Sequence, residues 1–187
     1  MLKELRWHGR GGQGAITAAQ ILAEAAYYYH DMYITASPSF GAERRGAPIT
    51  ASTRISDKKI KLRSQIVNPD IVIVLDETLL RDVDVTAGLK DGGTIIINSA
   101  KNPGDLKLSD NFKVVTADAT KVATDLDLRA AGLLVMKTPI LGAVVKATEL
   151  GITLEDIQNM IRRHFKGSNG ERNAEAAKKT YNITIIE

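Results

Sequence analysis

Leu2-Lys3-Glu4-Leu5-Arg6-Trp7-His8-Gly9-Arg10-Gly11-Gly12-Gln13-Gly14-Ala15-Ile16-Thr17-Ala18-Ala19 reads as three elements in a row. Leu2 to Trp7 is an apolar run suited to a strand, Gly9 to Gly14 is a glycine-rich loop, and Ala15 to Tyr29 carries apolar residues at helical spacing. Strand, glycine loop, helix is the order in which an α/β domain opens an anion site. Glycines let the backbone turn tightly and approach a ligand, while the first free N–H groups and the positive dipole end of the helix favour negative charge. Gly9, Arg10, Gly11, Gly12, Gln13 and Gly14 are therefore candidate ligand-facing residues.

Read literally, Gly9, Gly11 and Gly14 also complete the G-x-G-x-x-G fingerprint of dinucleotide binding. That fingerprint needs an Asp or Glu at the tip of the next strand, about 20 residues on, to hold ribose hydroxyls. The next candidate strand, Met32 to Ala36, runs into Ser37-Pro38-Ser39 with no acid at its tip; Asp31 precedes it and Glu43 lies well beyond. A free-standing dinucleotide-binding oxidoreductase is thus one alternative, and glycines that only pack a helix on a sheet are another.

Further along, strand and helix signals alternate. Ile49 to Ile55 suits a strand, and Lys58 to Leu62 reads as a half-exposed strand paired nearby across a turn at Ser56-Asp57-Lys58. Ile71 to Leu75 is a run of five apolar residues bounded by Pro69-Asp70 and Asp76-Glu77, the pattern of a strand buried on both faces. Thr94 to Ile97 and Phe112 to Val115 look similar. The order predicts an α/β fold: a Rossmann-like layered domain with a mostly parallel sheet covered by helices. Thr138 to Leu150, Leu154 to Phe165 and Asn169 to Tyr181 then give a C-terminal helical segment, so that residues 1–187 form a single α/β domain with 138–187 as its helical part.

A chain of 187 residues with 44% hydrophobic content can bury a substantial core. The apolar runs are too short to span a bilayer and the first residues lack a signal-peptide core, so no membrane partner and a cytoplasmic location are expected. With no cysteine, the chain forms no disulfide and holds no thiolate-bound iron–sulfur cluster or cysteine zinc site. A net charge of +3, with basic residues scattered among nearly as many acids, gives no footprint for nucleic acid.

A second loop, Ser37 to Pro48, sets Arg44, Arg45 and Phe40 among turn-forming residues. A guanidinium fork suits phosphate or carboxylate, and an exposed ring suits a stacked ligand or a partner's surface; a solvated basic turn with Phe40 in the core is the bland reading. His8, His30 and His164 match no metal spacing, and no metal site is expected. Asp76-Glu77 follow a buried strand, where open α/β sheets place ligands, although capping of the next helix explains them equally well. No serine sits in a nucleophile elbow, and the catalytic residues are unknown.

Both loops, with Ile21-Leu22-Ala23-Glu24-Ala25-Ala26, resemble the γ subunit of 2-oxoacid:ferredoxin oxidoreductases. The resemblance continues through Arg63-Ser64-Gln65, Pro69 to Asp76, Asp118-Ala119-Thr120 and Ile140-Leu141-Gly142-Ala143, and covers essentially the whole chain in order. It is closest to the pyruvate and 2-oxoisovalerate enzymes along Val83 to Lys90. The resemblance implies a complex that decarboxylates a 2-oxoacid, most simply pyruvate, to acyl-CoA, CO2 and reduced ferredoxin. Thiamine diphosphate, Mg2+ and [4Fe–4S] clusters would sit on the α, β and δ subunits, with ferredoxin as electron acceptor. For this chain it implies no cofactor of its own. Set beside the phosphates of coenzyme A, the residue reading predicts that Arg44 or Arg45 receives coenzyme A or seals a subunit interface, with Gly9 to Gly14 shaping the adjoining surface. A non-catalytic scaffold subunit is the remaining alternative.

Overall fold

The computed structural model describes residues 1–38, 45–130 and 132–187. Its elements are β1 (Leu2–Arg10), α1 (Ala15–His30), β2 (Tyr33–Pro38), β3 (Pro48–Ser56), β4 (Ile71–Val74), α2 (Leu79–Asp82), β5 (Thr94–Asn98), β6 (Lys113–Ala117) and α3 (Ala119–Asp125). A two-strand hairpin, β7 (Arg129–Ala130) and β8 (Leu133–Leu134), leads into α4 (Pro139–Ala147), α5 (Leu154–His164), α6 (Gly167–Ile183) and β9 (Ile185–Ile186). The main sheet has the order β2-β3-β1-β4-β5-β6-β9. β1, β4, β5 and β6 are joined by parallel ladders, while β3 and β9 run against their neighbours. The layered α/β fold with a C-terminal helical segment is thereby shown.

Strand alternation sorts side chains onto two faces. Leu5, Trp7, Ile71, Ile73 and Ile96 meet α1, α4 and α6 in one core, where Ala15, Ala18, Ala19, Ala25 and Ala26 let α1 lie close to the sheet. Val72, Val74, Ile95 and Ile97 face the other way, onto Leu79, Val85 and Leu89 of the short α2 and the loop after it. Both faces of β4 and β5 are dry, as their unbroken apolar runs require.

Lys58 to Leu62, expected as a strand, is not one. Both edges of β3 are already paired, to β1 and to β2 along its length, so no ladder is open to a returning segment. β7, β8 and β9 were not anticipated. Two-residue strands carry no period, and Ile185-Ile186 becomes a strand only because the edge of β6 is available to it.

The helical layer depends on one close approach. A methyl group at Gly142 of α4 would lie 1.9 Å from the Ala177 carbonyl oxygen of α6. Gly142→Ala is expected to cost about 3 kcal/mol of stability through forced separation of the two helices, read by urea denaturation of the full chain.

Candidate functional site

The glycine loop is less free than its sequence suggests. β1 remains paired to β3 through Arg10 opposite Pro48, so Gly9 and Arg10 still belong to the sheet. Beyond them the Gly11 N–H donates to the Ala47 carbonyl at 2.9 Å and the Gly46 N–H donates back to the Gly11 carbonyl at 3.1 Å. The first loop and the end of the second are therefore zipped together. Gly14 takes φ 87° at the N-cap of α1, and a Cβ there would press within 2.8 Å of Lys137 Cβ. Only glycine suits both the left-handed backbone and the close neighbour.

Arg10 turns out to be a latch. Its Nη2 donates to Asp82 Oδ2 and to Thr78 Oγ1, each at 2.6 Å, its Nε lies 3.3 Å from Asp76 Oδ2, and its Nη1 donates to the Gly46 carbonyl at 3.3 Å. Gln13 completes the arrangement, accepting from the Arg10 N–H at 2.8 Å and donating to Asp76 Oδ2 at 2.8 Å. Burial alone would push the Asp76 carboxyl up. Hydrogen bonds from Thr78 and Gln13, together with the Arg10 charge, outweigh that and hold it below the usual carboxylate range. A guanidinium neutralised by two carboxylates is a poor receptor for phosphate.

These residues border a cleft of about 650 Å³ at the carboxyl ends of β1, β4, β5 and β6, where open α/β sheets gather ligands. Asn98 ties it together, donating to the Leu75 carbonyl at 2.8 Å and to Thr120 Oγ1 at 2.9 Å while accepting from the Thr120 N–H. Glu77 accepts from Ser99 Oγ at 2.6 Å and pairs with Lys101, whose hydrogen bond first of all holds its carboxyl low. Asp118 stands on the same wall, and Arg45 with Gly46 forms the rim. Of the predicted residues, the cleft collects Arg10, Gly11, Gln13 and Arg45. Gly12 and Gly14 instead line a separate hollow beside Lys137 and the start of α1, while Arg44 lies outside the described residues. Asn98, Ser99 and Asp118 were missed as site residues. Asn98 and Ser99 follow the run Thr94 to Ile97, and Asp118 comes three residues after Phe112 to Val115; that placement past strand ends was the available signal.

The histidines have structural partners. His30 Nε2 meets Asp156 at 2.8 Å and His164 Nε2 meets Glu24 at 2.6 Å, so both ends of α5 are fastened to the C-terminal half of α1. His8 lies under the sheet face opposite α1, 7% exposed, accepting from Arg6 Nε at 3.1 Å. Burial and the Arg6 charge push its pKa down to about 4.

The donor set does not fit the redox groups of the implied complex. The chain has no cysteine for a [4Fe–4S] cluster. Among the described residues no group of three or more His, Asp or Glu converges to hold a metal. None of their helices is long and apolar enough to cross a membrane.

Fold and site together define an α/β subunit whose strand ends carry a mixed-charge cleft. The model of the pyruvate ferredoxin/flavodoxin oxidoreductase family matches residues 4–183. The chain is 50% identical over 186 residues to the pyruvate/ketoisovalerate oxidoreductases common subunit gamma of Thermococcus kodakarensis, covering 98% of this chain and 97% of that one. It is 49% identical over 179 residues to pyruvate synthase subunit PorC of Methanocaldococcus jannaschii, covering 96% and 95%. The crystal structure of pyruvate oxidoreductase subunit PORC from Thermotoga maritima is similar with a TM-score of 0.84 and 36% identity, over 100% of this chain and 98% of that one. The chain belongs to the pyruvate ferredoxin/flavodoxin oxidoreductase family, as a γ subunit of that enzyme.

The free-standing dinucleotide reading and the scaffold reading are not favoured. In a dinucleotide-binding fold the strand after the first helix lies beside the first strand. Here β3 separates β2 from β1, so no acid at the tip of β2 could reach a ribose held at the glycine loop.

The buried imidazole predicts a pH dependence. Between pH 6.5 and about 4 the unfolded chain protonates His8 and the folded chain does not. Stability is whole above pH 6.5 and is lost as pH falls. Urea denaturation at pH 7 and at pH 5 should show a loss of about 2 kcal/mol from this group, and His8→Asn should remove that share of the difference.

Proposed function

We propose that the chain works in the cytoplasm as one α/β unit beside α, β and δ subunits, in a complex that oxidatively decarboxylates pyruvate with coenzyme A to acetyl-CoA, CO2 and reduced ferredoxin. In such a complex thiamine diphosphate with Mg2+ carries the decarboxylation and [4Fe–4S] clusters carry the electrons, all on the companion subunits. The observation that supports this reading is the collinear match to γ subunits over nearly the full length of both chains. Because one of those relatives is named as common to pyruvate and ketoisovalerate oxidoreductases, the same chain is proposed to serve a branched-chain enzyme as well.

For the two loops the interface role is the better supported. Arg10 is neutralised by Asp76 and Asp82, and Asp76, Glu77 and Asp118 on the cleft wall oppose a phosphate entering deeply. Arg45 at the rim, with Arg44 beside it in sequence, is the place where coenzyme A phosphates or a companion subunit would meet this chain.

Purification of the tagged chain from an oxygen-free host, with mass spectrometry of its companions, should recover three further chains in stoichiometric amount, one rich in cluster cysteines. Recovery of the chain alone would refute the reading. In the assembled enzyme, replacement of Arg44 and Arg45 by alanine is expected to weaken assembly. A raised KM for coenzyme A with assembly intact would instead assign the arginines to binding.

A further inference from the structure

On the sheet face opposite α1, the strands β2, β3 and β1 carry no helix. Their outward side chains form the floor of a cavity of about 490 Å³, roofed by residues 62–66 and 84–87. Three guanidinium groups line it, from Arg6, Arg54 and Arg63, against the single carboxylate of Asp84. Two of them fasten the roof. Arg54 pairs through Nε with Glu4, its cross-strand neighbour, at 2.7 Å and donates through Nη2 to the Ser64 carbonyl at 2.7 Å. Arg6 donates through Nε to His8 and through Nη2 to the Val85 and Ala87 carbonyls.

This fastening uses only Nε and Nη2. Among the described residues no acceptor meets Nη1 of Arg54, a residue only 6% exposed, or Nη1 of Arg6, and Arg63 at the rim has no partner. Neither Nη1 is sealed from water, so both donor groups stay open to the cavity, where a ligand oxygen can take the place of solvent. Asp84 cannot meet them in full, because its Oδ1 already accepts the N–H and hydroxyl of Thr86.

We propose that this cavity binds an oxyanion, the phosphoryl or carboxylate group of a small molecule, received by Arg6, Arg54 and Arg63. The guanidinium fork matches the geometry of such a group, and Thr35 lies along the same wall to meet a remaining oxygen, while Ser52 Oγ is held by Ser37. Leu62 and Ile66 in the roof give a short apolar surface for the ligand body. Burial pulls the Arg6 guanidinium below its ordinary basicity, against the charge of Asp84, and in such a setting water screens an arriving anion less. The site lies on a different face from the strand-end cleft and stands independently of the role proposed for the loops there.

The test is a titration of the full-length chain followed by NMR of the arginine Nε–H resonances, with inorganic phosphate in one arm and acetate in the other, chloride holding the ionic strength constant. A saturable shift of the Arg6 and Arg54 signals is expected. Phosphate alone producing it assigns a phosphoryl ligand, acetate alone a carboxylate. Arg63→Ala, at an exposed roof position whose side chain fastens nothing, should weaken the response about fivefold, while Arg81→Ala, outside the cavity, should leave it unchanged. A linear shift that chloride reproduces, or an Arg63→Ala chain with undiminished affinity, overturns the proposal. So does silence in both arms with residues 62–66 becoming protected from hydrogen exchange on assembly, which would make the cavity a subunit contact.

Discussion

One hydroxyl group holds β1, α1 and β3 together. The indole N–H of Trp7, fully buried on β1, donates to Thr53 Oγ1 of β3 at 3.0 Å, and that hydroxyl donates onward to the Ala19 carbonyl of α1 at 3.2 Å. A buried indole needs an acceptor, and Thr53 meets the need only where β3 lies directly beside β1. The antiparallel insertion of β3 is thus tied into the core as well as along the sheet. Everything at the mouth of the fold follows from it, because the nine-residue β1–β3 ladder brings Ala47 and Gly46 alongside Gly11.

That insertion changes what the glycine loop is for. In a sheet where the second strand returns beside the first, glycines at this turn admit a pyrophosphate and the neighbouring strand tip supplies a carboxylate. Here the neighbouring tip belongs to β3, and the backbone groups of Gly11 close onto it. Arg10, which a sequence reading places against an anionic ligand, meets the carboxylates of the chain itself. The charge that could have recruited a ligand instead locks the loop pair to the turn after β4.

The parallel strands and the long helices were legible because each carries its own period: unbroken apolar runs for β4, β5 and β6, and helical spacing with a capping box at Thr153 and Asp156 for α5. Elements defined by what lies across from them were not. Lys58 to Leu62 has the alternation of a strand but no edge to join, whereas Ile185-Ile186 has no alternation and does join one. The site divides in the same way. Gly9 to Gly14 and Arg45 announced themselves locally, but the partners that give Arg10 its role, Thr78 and Asp82, stand 68 and 72 residues away. No local pattern encodes that distance.

The two faces of the sheet obey different physics at its β2 end. Toward α1, Trp7, Ile55 and Ala51 are dry and the helix lies close on small residues. Away from it, the same strands present arginine, serine and threonine under a roof held by guanidinium bonds to carbonyls. A roof fixed through charged donors rather than apolar contacts keeps the floor polar, and a polar concave floor excludes a tightly packed apolar partner. The β2–β3–β1 face is therefore suited to a small hydrated ligand or to a polar companion surface.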